Sequence, residues 1–191
     1  MLEKLSAKHI TVFVDQHNLL SVHQYGFRTG LSSCTSQLTH LFHTWASALD
    51  NWKTTDVVFL DFAKAFHSVP HKHLIHRVSH YGIQGQILNW LFNFLSNRPQ
   101  QVIIDGSTSS WAKVLSGVPQ HSILGPLLFF LYINEIPECI PCSSDMFADD
   151  TLLHNSAPVN EVNSIWFTLY VQLVQAVAVK RYVKLNVSAW E

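Results

Sequence analysis

The stretch Asp145-Met-Phe-Ala-Asp-Asp-Thr-Leu-Leu-His154 places two adjacent carboxylates, Asp149 and Asp150, between two short apolar runs. The runs at 146–147 and 151–153 have strand character, so the pair falls at the connection of a hairpin. Asp is a favoured turn residue, and at an exposed turn its charge stays hydrated. Burial of an unpaired carboxylate, by contrast, costs several kcal/mol. Taken alone, the segment favours a plain surface turn and leaves a metal site as the alternative.

A metal site would need a third carboxylate from elsewhere in the chain, and Asp61 is the best candidate. It lies near the end of the apolar strand that residues 56–62 predict. If that strand lies beside the hairpin, three carboxylates converge, and they repel one another unless cations are bound. Hard cations such as Mg²⁺ prefer oxygen ligands, and a pair of them can stabilise the attacking and leaving oxygens of phosphoryl transfer.

The rest of the chain indicates a mixture of helices and strands. Apolar residues recur at helical spacing, or form buried helical runs, in the segments 33–51, 70–81, 86–96, 124–136 and 159–178. Further strand-like runs are 101–106 and 110–115, joined by a turn at Gly106-Ser-Thr108, and 182–187. Helices mixed with hairpins predict an α+β fold.

The composition is apolar and nearly neutral: 48% of residues are hydrophobic, 13% are charged, and the formal net charge is -1. This balance excludes an overall basic character, so a polyanionic partner would be held by a local patch or through metal ions. The chain has no signal-peptide pattern, and its longest apolar run, 123–133, is too short to span a bilayer. We therefore expect an intracellular protein without a membrane partner. Cytoplasm or nucleus, and the oligomeric state, stay open.

Three cysteines, Cys34, Cys139 and Cys142, argue against a disulfide scaffold. The Cys139-Ile-Pro-Cys142 pair favours ordinary loop thiols, with a redox pair or half a zinc site as the alternatives. The histidines at 71, 73, 76 and 80 similarly favour a solvated helix face over a metal cluster.

Several short motifs follow one another at compatible spacing: Gln24-Tyr-Gly-Phe-Arg28, Leu60-Asp-Phe-Ala-Lys-Ala-Phe66, Ser68-Val-Pro-His71, Tyr81-Gly-Ile83, Ser116-Gly-Val-Pro-Gln120, Leu124-Gly-Pro-Leu127, Tyr132-Ile-Asn134 and Phe147-Ala-Asp-Asp150. The ordered set resembles the reverse transcriptase domain of non-long-terminal-repeat retrotransposons of the jockey and chicken-repeat kind. Ala-Asp-Asp alone would be weak evidence. The ordered set is specific, and it covers about residues 2–188.

The resemblance implies a right-hand polymerase palm with partial fingers, in which helices back an antiparallel sheet. Residues from about 1 to 55 would form partial fingers, and about 56 to 191 the palm with inserted finger segments. Neither a thumb nor an endonuclease domain is expected within the chain. The implied activity is RNA-directed DNA polymerase, which adds deoxynucleoside triphosphates to a DNA primer on an RNA template. The alternative is an inactive retrotransposon relic that serves at most as a nucleic-acid or protein binding module.

The resemblance also implies the catalytic metal ligands. Asp61 would be shared by two Mg²⁺ (or Mn²⁺) ions, Asp149 would be the second ligand, and Asp150 would lie closer to the primer end or support the site. All three carry the charge that such ions neutralise.

Substrate-binding roles are implied for three further residues. Phe66 would lie under the sugar of the incoming nucleotide and select deoxynucleotides, although by periodicity alone it is a core aromatic. Arg28 would reach the triphosphate, although alone it is a surface arginine. Gln120 would contact the nucleotide or template, although alone it is a turn residue.

The chain departs from the family pattern at two histidines. His67 replaces an aspartate in the usual Ala-Phe-Asp, and His121 replaces the glycine of Val-Pro-Gln-Gly. A glycine at the second position permits close backbone approach and a positive φ. We therefore expect strain or steric obstruction at His121.

Overall fold

A computed structural model of the chain describes residues 1–26, 34–96, 98–140, 142–158 and 185–189, the last of these as backbone only. The helices are α1 (Leu2–Gln16), α2 (Cys34–Asp50), α3 (Ala65–Ser68), α4 (His71–His80), α5 (Gln86–Ser96) and α6 (Leu124–Ile133), with a 3₁₀ turn at Pro137–Cys139. The strands are β1 (Lys53–Phe62), β2 (Pro99–Gln100), β3 (Ile103–Ile104), β4 (Ser107–Thr108), β5 (Ala112–Lys113), β6 (Ser143–Phe147), β7 (Asp150–Pro158) and β8 (Leu185–Ala189).

The chain divides into two compact units, each built from two separate stretches of sequence. Met1–Leu19 and Ala65–Tyr132 form a helical unit, and Leu20–Lys64 and Ile133–Glu191 form a sheet unit. The sheet unit contains α2 and the antiparallel strands in the order β6-β7-β1-β8. β1 pairs with β7 from Lys53 opposite Pro158 to Asp61 opposite Asp150.

The two faces of β1 differ, as expected of a strand whose side chains alternate. Val58, Leu60 and Phe62 are buried, whereas Phe59 and Asp61 on the opposite face are exposed. Helix α2 packs near β1. The face that carries Asp61 is therefore the more open of the two at this end of the strand.

The helical unit is held by apolar side chains from its longer helices. α6 is apolar all round, and Leu128, Phe129 and Leu131 on it are fully buried, as expected of a core helix. Glu3 on α1 accepts a hydrogen bond from the backbone N–H of Leu124 (3.0 Å). This bond satisfies an otherwise unpaired donor at the start of α6.

Most predicted elements are confirmed. Helix 86–96 matches α5, and 33–51 and 70–81 match α2 and α4 within one residue at each described end. The predicted helix 124–136 ends earlier, at Ile133, where a turn leads to Pro137. The predicted strand 182–187 overlaps β8, and the predicted helix 159–178 lies outside the described residues.

The prediction of two strands at 101–106 and 110–115 is confirmed only in part. The region forms only two-residue strands, and the turn falls at Asp105–Gly106 rather than at 106–108. Val102, Ile103, Ile104 and Trp111 are all exposed, so no buried face extends the pairing. Among the described helices, none is long and apolar enough to cross a lipid bilayer.

Candidate active site

The structure brings the three predicted carboxylates together at one end of the sheet. Asp61 and Asp150 are register partners on β1 and β7, and they therefore share one face. Phe147 pairs with Asp150, so Ala148 and Asp149 form a two-residue turn between β6 and β7. Asp61 and Asp150 are exposed and Asp149 is half-buried. The hairpin turn and the convergence of carboxylates thus both hold.

Electrostatic repulsion is evident at Asp150. Partial burial, followed by the charges of Asp149 and Asp61, raises the pKa of the Asp150 carboxyl above its ordinary value. A group whose ionised form is disfavoured by like charges gains from a bound cation.

The donor set fits a hard divalent cation by its chemistry, since all three side chains offer carboxylate oxygens. Over the described part of the chain, however, no three or more His, Cys, Asp or Glu side chains are already arranged to hold a metal ion. A bound ion would have to draw the carboxylates closer than they stand.

The buried carboxylate of this hairpin is Asp145, which was not predicted as a functional residue. Asp145 is 1% exposed, and His154 Nε2 donates to its Oδ2 at 3.2 Å. Burial, and then the neighbouring Asp145, raise the pKa of the Tyr25 phenol. A signal was available in the sequence: a two-residue turn at 148–149 sets positions 145 and 154 diagonally opposite on one face.

Phe66 and Gln120 lie in the helical unit. Phe66 is half-buried, and its ring contacts that of Phe129 at a centroid distance of 4.8 Å. Gln120 is exposed and lines a cleft of about 480 Å³. The same cleft is lined by Arg98 and Lys113, which give it cationic walls, and by the substituted His67. Arg28 lies outside the described residues.

Two short backbone hydrogen bonds hold the loop before Gln120 in place. Gly117 N–H donates to the carbonyl of Val69 and Val118 N–H donates to that of Phe66, both at 2.7 Å. His73, His76 and His80, which share one helix face, are exposed as expected. His71 is instead buried, and its Nε2 donates to the Gly117 carbonyl at 2.8 Å. The start of the Gln120 loop is therefore anchored to the backbone of Phe66 and Val69.

His121 confirms the expectation of a strained backbone, with φ of 60°. Ser122 N–H donates to the Pro119 carbonyl at 3.3 Å, so His121 is the third residue of a β-turn, where a positive φ favours glycine. Its side chain is exposed. The expected strain is thus in the backbone.

The cysteine motif lacks the properties of a redox pair. Burial raises the pKa of the Cys142 thiol to about 11, which leaves little thiolate at neutral pH. Cys139 and Cys142 are both free, as expected of two ordinary loop thiols, and Cys34 at the start of α2 is free as well.

A family model described as "Reverse transcriptase (RNA-dependent DNA polymerase)" matches residues 1–188. The chain is 31% identical, over 141 residues, to the probable RNA-directed DNA polymerase from transposon BS of Drosophila melanogaster, covering 71% of this chain and 15% of that relative. It is 28% identical, over 160 residues, to the RNA-directed DNA polymerase from mobile element jockey of the same species, covering 79% and 17%. The chain therefore spans less than a fifth of the length of these relatives.

Two solved structures share the fold. A telomerase from Candida albicans, in complex with a fragment of telomeric RNA, has a TM-score of 0.68 at 10% identity, covering 96% of this chain and 35% of the telomerase. A Candida tropicalis telomerase has a TM-score of 0.65 at 8% identity, covering 94% and 32%. These likenesses confirm the expected fold class, a polymerase-type α+β fold with an antiparallel sheet.

Proposed function

Since the chain belongs to the reverse transcriptase (RNA-dependent DNA polymerase) family, we propose that it forms the part of such an enzyme that adds deoxynucleotides to a primer 3′ end on an RNA template. One observation carries the proposal: β1 and β7 pair so that Asp61 faces Asp150, with Asp149 in the adjoining turn. Residues from about 1 to 55 would serve as partial fingers, and about 56 to 191 as the palm with inserted finger segments.

Asp61, Asp149 and Asp150 would hold two Mg²⁺ or Mn²⁺ ions. When bound, such ions neutralise the developing charge on the transferring phosphoryl group and its leaving group. The protein's part is to present carboxylate oxygens from a rigid strand pair and its turn. Fixed presentation of this kind is the main contribution a protein makes to phosphoryl transfer, since the reaction needs no protein nucleophile.

The substrate would be recognised by three further side chains. The contact of Phe66 with the fully buried Phe129 would hold the ring rigidly under the sugar and discriminate against a 2′-hydroxyl. Gln120, which lines the cationic cleft, would contact the nucleotide or template. Arg28 would bind the triphosphate. Lys113 and Arg98 supply positive charge for a nucleic-acid backbone in that cleft.

A primer-extension assay tests the proposal. The chain is incubated with poly-rA annealed to oligo-dT, thymidine triphosphate and Mg²⁺ or Mn²⁺, and product length is read on a gel. We expect extension by the unaltered chain and a loss of at least about a hundredfold in Asp149→Asn, because a metal ligand is removed. Asp105→Asn is the matched control: Asp105 is an exposed turn residue with φ of 49°, which Asn also tolerates. Equal extension by all three chains, or none by the unaltered chain, would contradict the proposal.

A further inference from the structure

The carboxylate turn is held from one side by a buried glutamine. Gln24 is 2% exposed, and its side-chain amide pairs with both backbone groups of one turn residue. Ala148 N–H donates to Gln24 Oε1 at 3.1 Å, and Gln24 Nε2 donates to the Ala148 carbonyl at 3.3 Å. Gly26 N–H donates to the same Oε1 at 2.9 Å. The amide thus mimics the pairing that a neighbouring strand would give Ala148.

Ala148 is the residue of the turn that needs such support. Its φ is 57°, in the left-handed region that costs a residue with a Cβ atom more than glycine. Asp149 and Asp150 follow directly, so the Ala148 backbone conformation sets the direction in which both carboxylates leave the turn. Loss of the amide contacts would free Ala148 to relax towards negative φ.

The segment that carries Gln24 is itself fixed to the edge of the sheet. Tyr25 N–H donates to the Met146 carbonyl and Met146 N–H donates to the His23 carbonyl, both at 2.8 Å. Gly26 approaches so closely that an added Cβ would lie 2.5 Å from Ala148 N. Gln24 is therefore held in place by backbone pairing that does not depend on its side chain.

We propose that Gln24 is a positioning residue that holds the Ala148 peptide, and through it Asp149 and Asp150, in the geometry that binds divalent cations. The inference rests on the proposed function only in taking these carboxylates as the cation site. It differs from a packing role, in which Gln24 would merely fill space in the interior. A packing role depends on side-chain volume, whereas the positioning role depends on the amide's hydrogen bonds.

Two variants separate these roles. Gln24→Met keeps the length and burial of the side chain and removes all three hydrogen bonds. Ala148→Gly lets the turn adopt a positive φ without support. If Gln24 acts through the Ala148 conformation, the second change compensates in part for the first. Gln16→Ala, at an exposed glutamine on the last residue of α1, is the control.

Two readouts are taken on the folded, purified chain: Mn²⁺ affinity by electron paramagnetic resonance, and hydrogen exchange of the Ala148 amide by NMR. We expect Gln24→Met to weaken Mn²⁺ binding about tenfold or more, as the loss of residues that orient metal ligands does. Exchange at Ala148 accelerates roughly tenfold, because its buried donor loses its acceptor. Added Ala148→Gly restores part of the Mn²⁺ affinity, and Gln16→Ala changes neither readout.

Unchanged Mn²⁺ affinity in a folded Gln24→Met chain overturns the inference. The inference is also overturned if the Asp149→Asn variant binds Mn²⁺ as tightly as the unaltered chain. If Gln24→Met does not fold, Gln24→Asn, whose amide is one methylene too short to reach both groups of Ala148, is read by the same criteria. Primer extension is not among the readouts. A chain that binds Mn²⁺ in a Gln24-dependent way but extends no primer supports this inference and contradicts the proposed function.

Discussion

At the scale of single residues, partial burial and then the charges of Asp149 and Asp61 disfavour the ionised form of the Asp150 carboxyl. Its raised pKa means that the folded chain binds this proton more tightly than the unfolded chain does. The resulting penalty is absent below the ordinary carboxyl pKa and appears as pH rises through the raised value. Because Asp150 is exposed, solvent screens much of it.

We therefore expect Asp150→Asn to stabilise the metal-free chain at pH 7. The predicted rise in Tm is small, about 1–3 °C. It disappears near pH 3, where the protonated Asp150 of the unaltered chain is neutral, as the asparagine is. Thermal unfolding in EDTA across this pH range measures it. Added Mg²⁺ is expected to raise the Tm of the unaltered chain more than that of the variant. A gain that persists at pH 3 would assign the effect to something other than charge.

His121 provides a second test at this scale, because its φ of 60° suits glycine. We expect His121→Gly to leave stability unchanged or to raise it by up to about 1 kcal/mol, since relief of strain offsets the added chain entropy. His121→Val is expected to cost about 1–3 kcal/mol, since a β-branched residue strongly disfavours positive φ.

Urea unfolding of both variants measures the change in the free energy of unfolding. His43→Gly, at an exposed position within α2, is the control of opposite sign, with an expected loss of about 1 kcal/mol. Equal losses for glycine at 121 and 43 would mean that the turn conformation at His121 carries no strain.

Local patterns predicted a hairpin turn at Asp149 and Asp150 and a strand end at Asp61, and the family resemblance implied that the three carboxylates converge. Neither predicted the burial of Asp145 or the contacts of Gln24. The Gln24 contacts depend on which segments become neighbours, since Gln24 lies 124 positions from Ala148 and reaches it through an edge pairing with Met146. The Asp145–His154 contact depends on the β6–β7 register, which the two-residue turn at 148–149 sets.

At the scale of elements, the segment 116–118 docks on the backbone that follows β1. A Cβ added at Gly117 would lie 2.8 Å from backbone atoms of His67 and Phe66, and Gly117 has φ of 92°. Gly85 also has a positive φ, of 70°, but nothing lies within 4 Å of its added Cβ. Both glycines therefore have a backbone conformation that favours glycine, but only Gly117 is closely approached by other backbone atoms.

We expect Gly85→Ala to cost about 1 kcal/mol, from conformational strain alone. Gly117→Ala is expected to cost at least about 2 kcal/mol more, because the clash is with backbone that cannot rotate away. The free energy of unfolding in urea measures both. Equal losses would mean that segment 116–118 can move off the Phe66 backbone, and the anchoring of the Gln120 loop would then be wrong.

Local pattern predicted elements well where a buried face exists and poorly where it does not. α5 matched residue for residue because its apolar side chains recur at helical spacing and bury Leu91 and Leu95. Residues 101–115 have strand-like composition, yet most of their apolar side chains are exposed and only two-residue pairings form. Strand propensity reflects burial against a partner, which the local sequence does not reveal.

At the scale of the whole molecule, a net charge of -1 has to be reconciled with the proposed polyanionic substrate. Twelve Lys and Arg residues cannot make the surface basic overall, so any attraction must be local. The cleft beside Gln120 concentrates Arg98 and Lys113, and the Arg98 guanidinium lies 5.3 Å from the Phe94 ring centre, which restrains it. We infer that this cleft supplies phosphate contacts.

Salt dependence tests this inference directly. Each phosphate contact contributes about 0.7–0.9 to the slope of log affinity against log salt concentration, through release of counterions. We expect Arg98→Ala and Lys113→Ala each to lower the slope for an RNA–DNA template–primer by about that amount between 50 and 200 mM KCl. Fluorescence anisotropy measures it, with Lys72→Ala, an exposed lysine on α4, as the control. If all three variants weaken binding equally without changing the slope, the cleft makes no phosphate contact. Affinity would then depend on the carboxylate-bound cations, and removal of Mg²⁺ would abolish it.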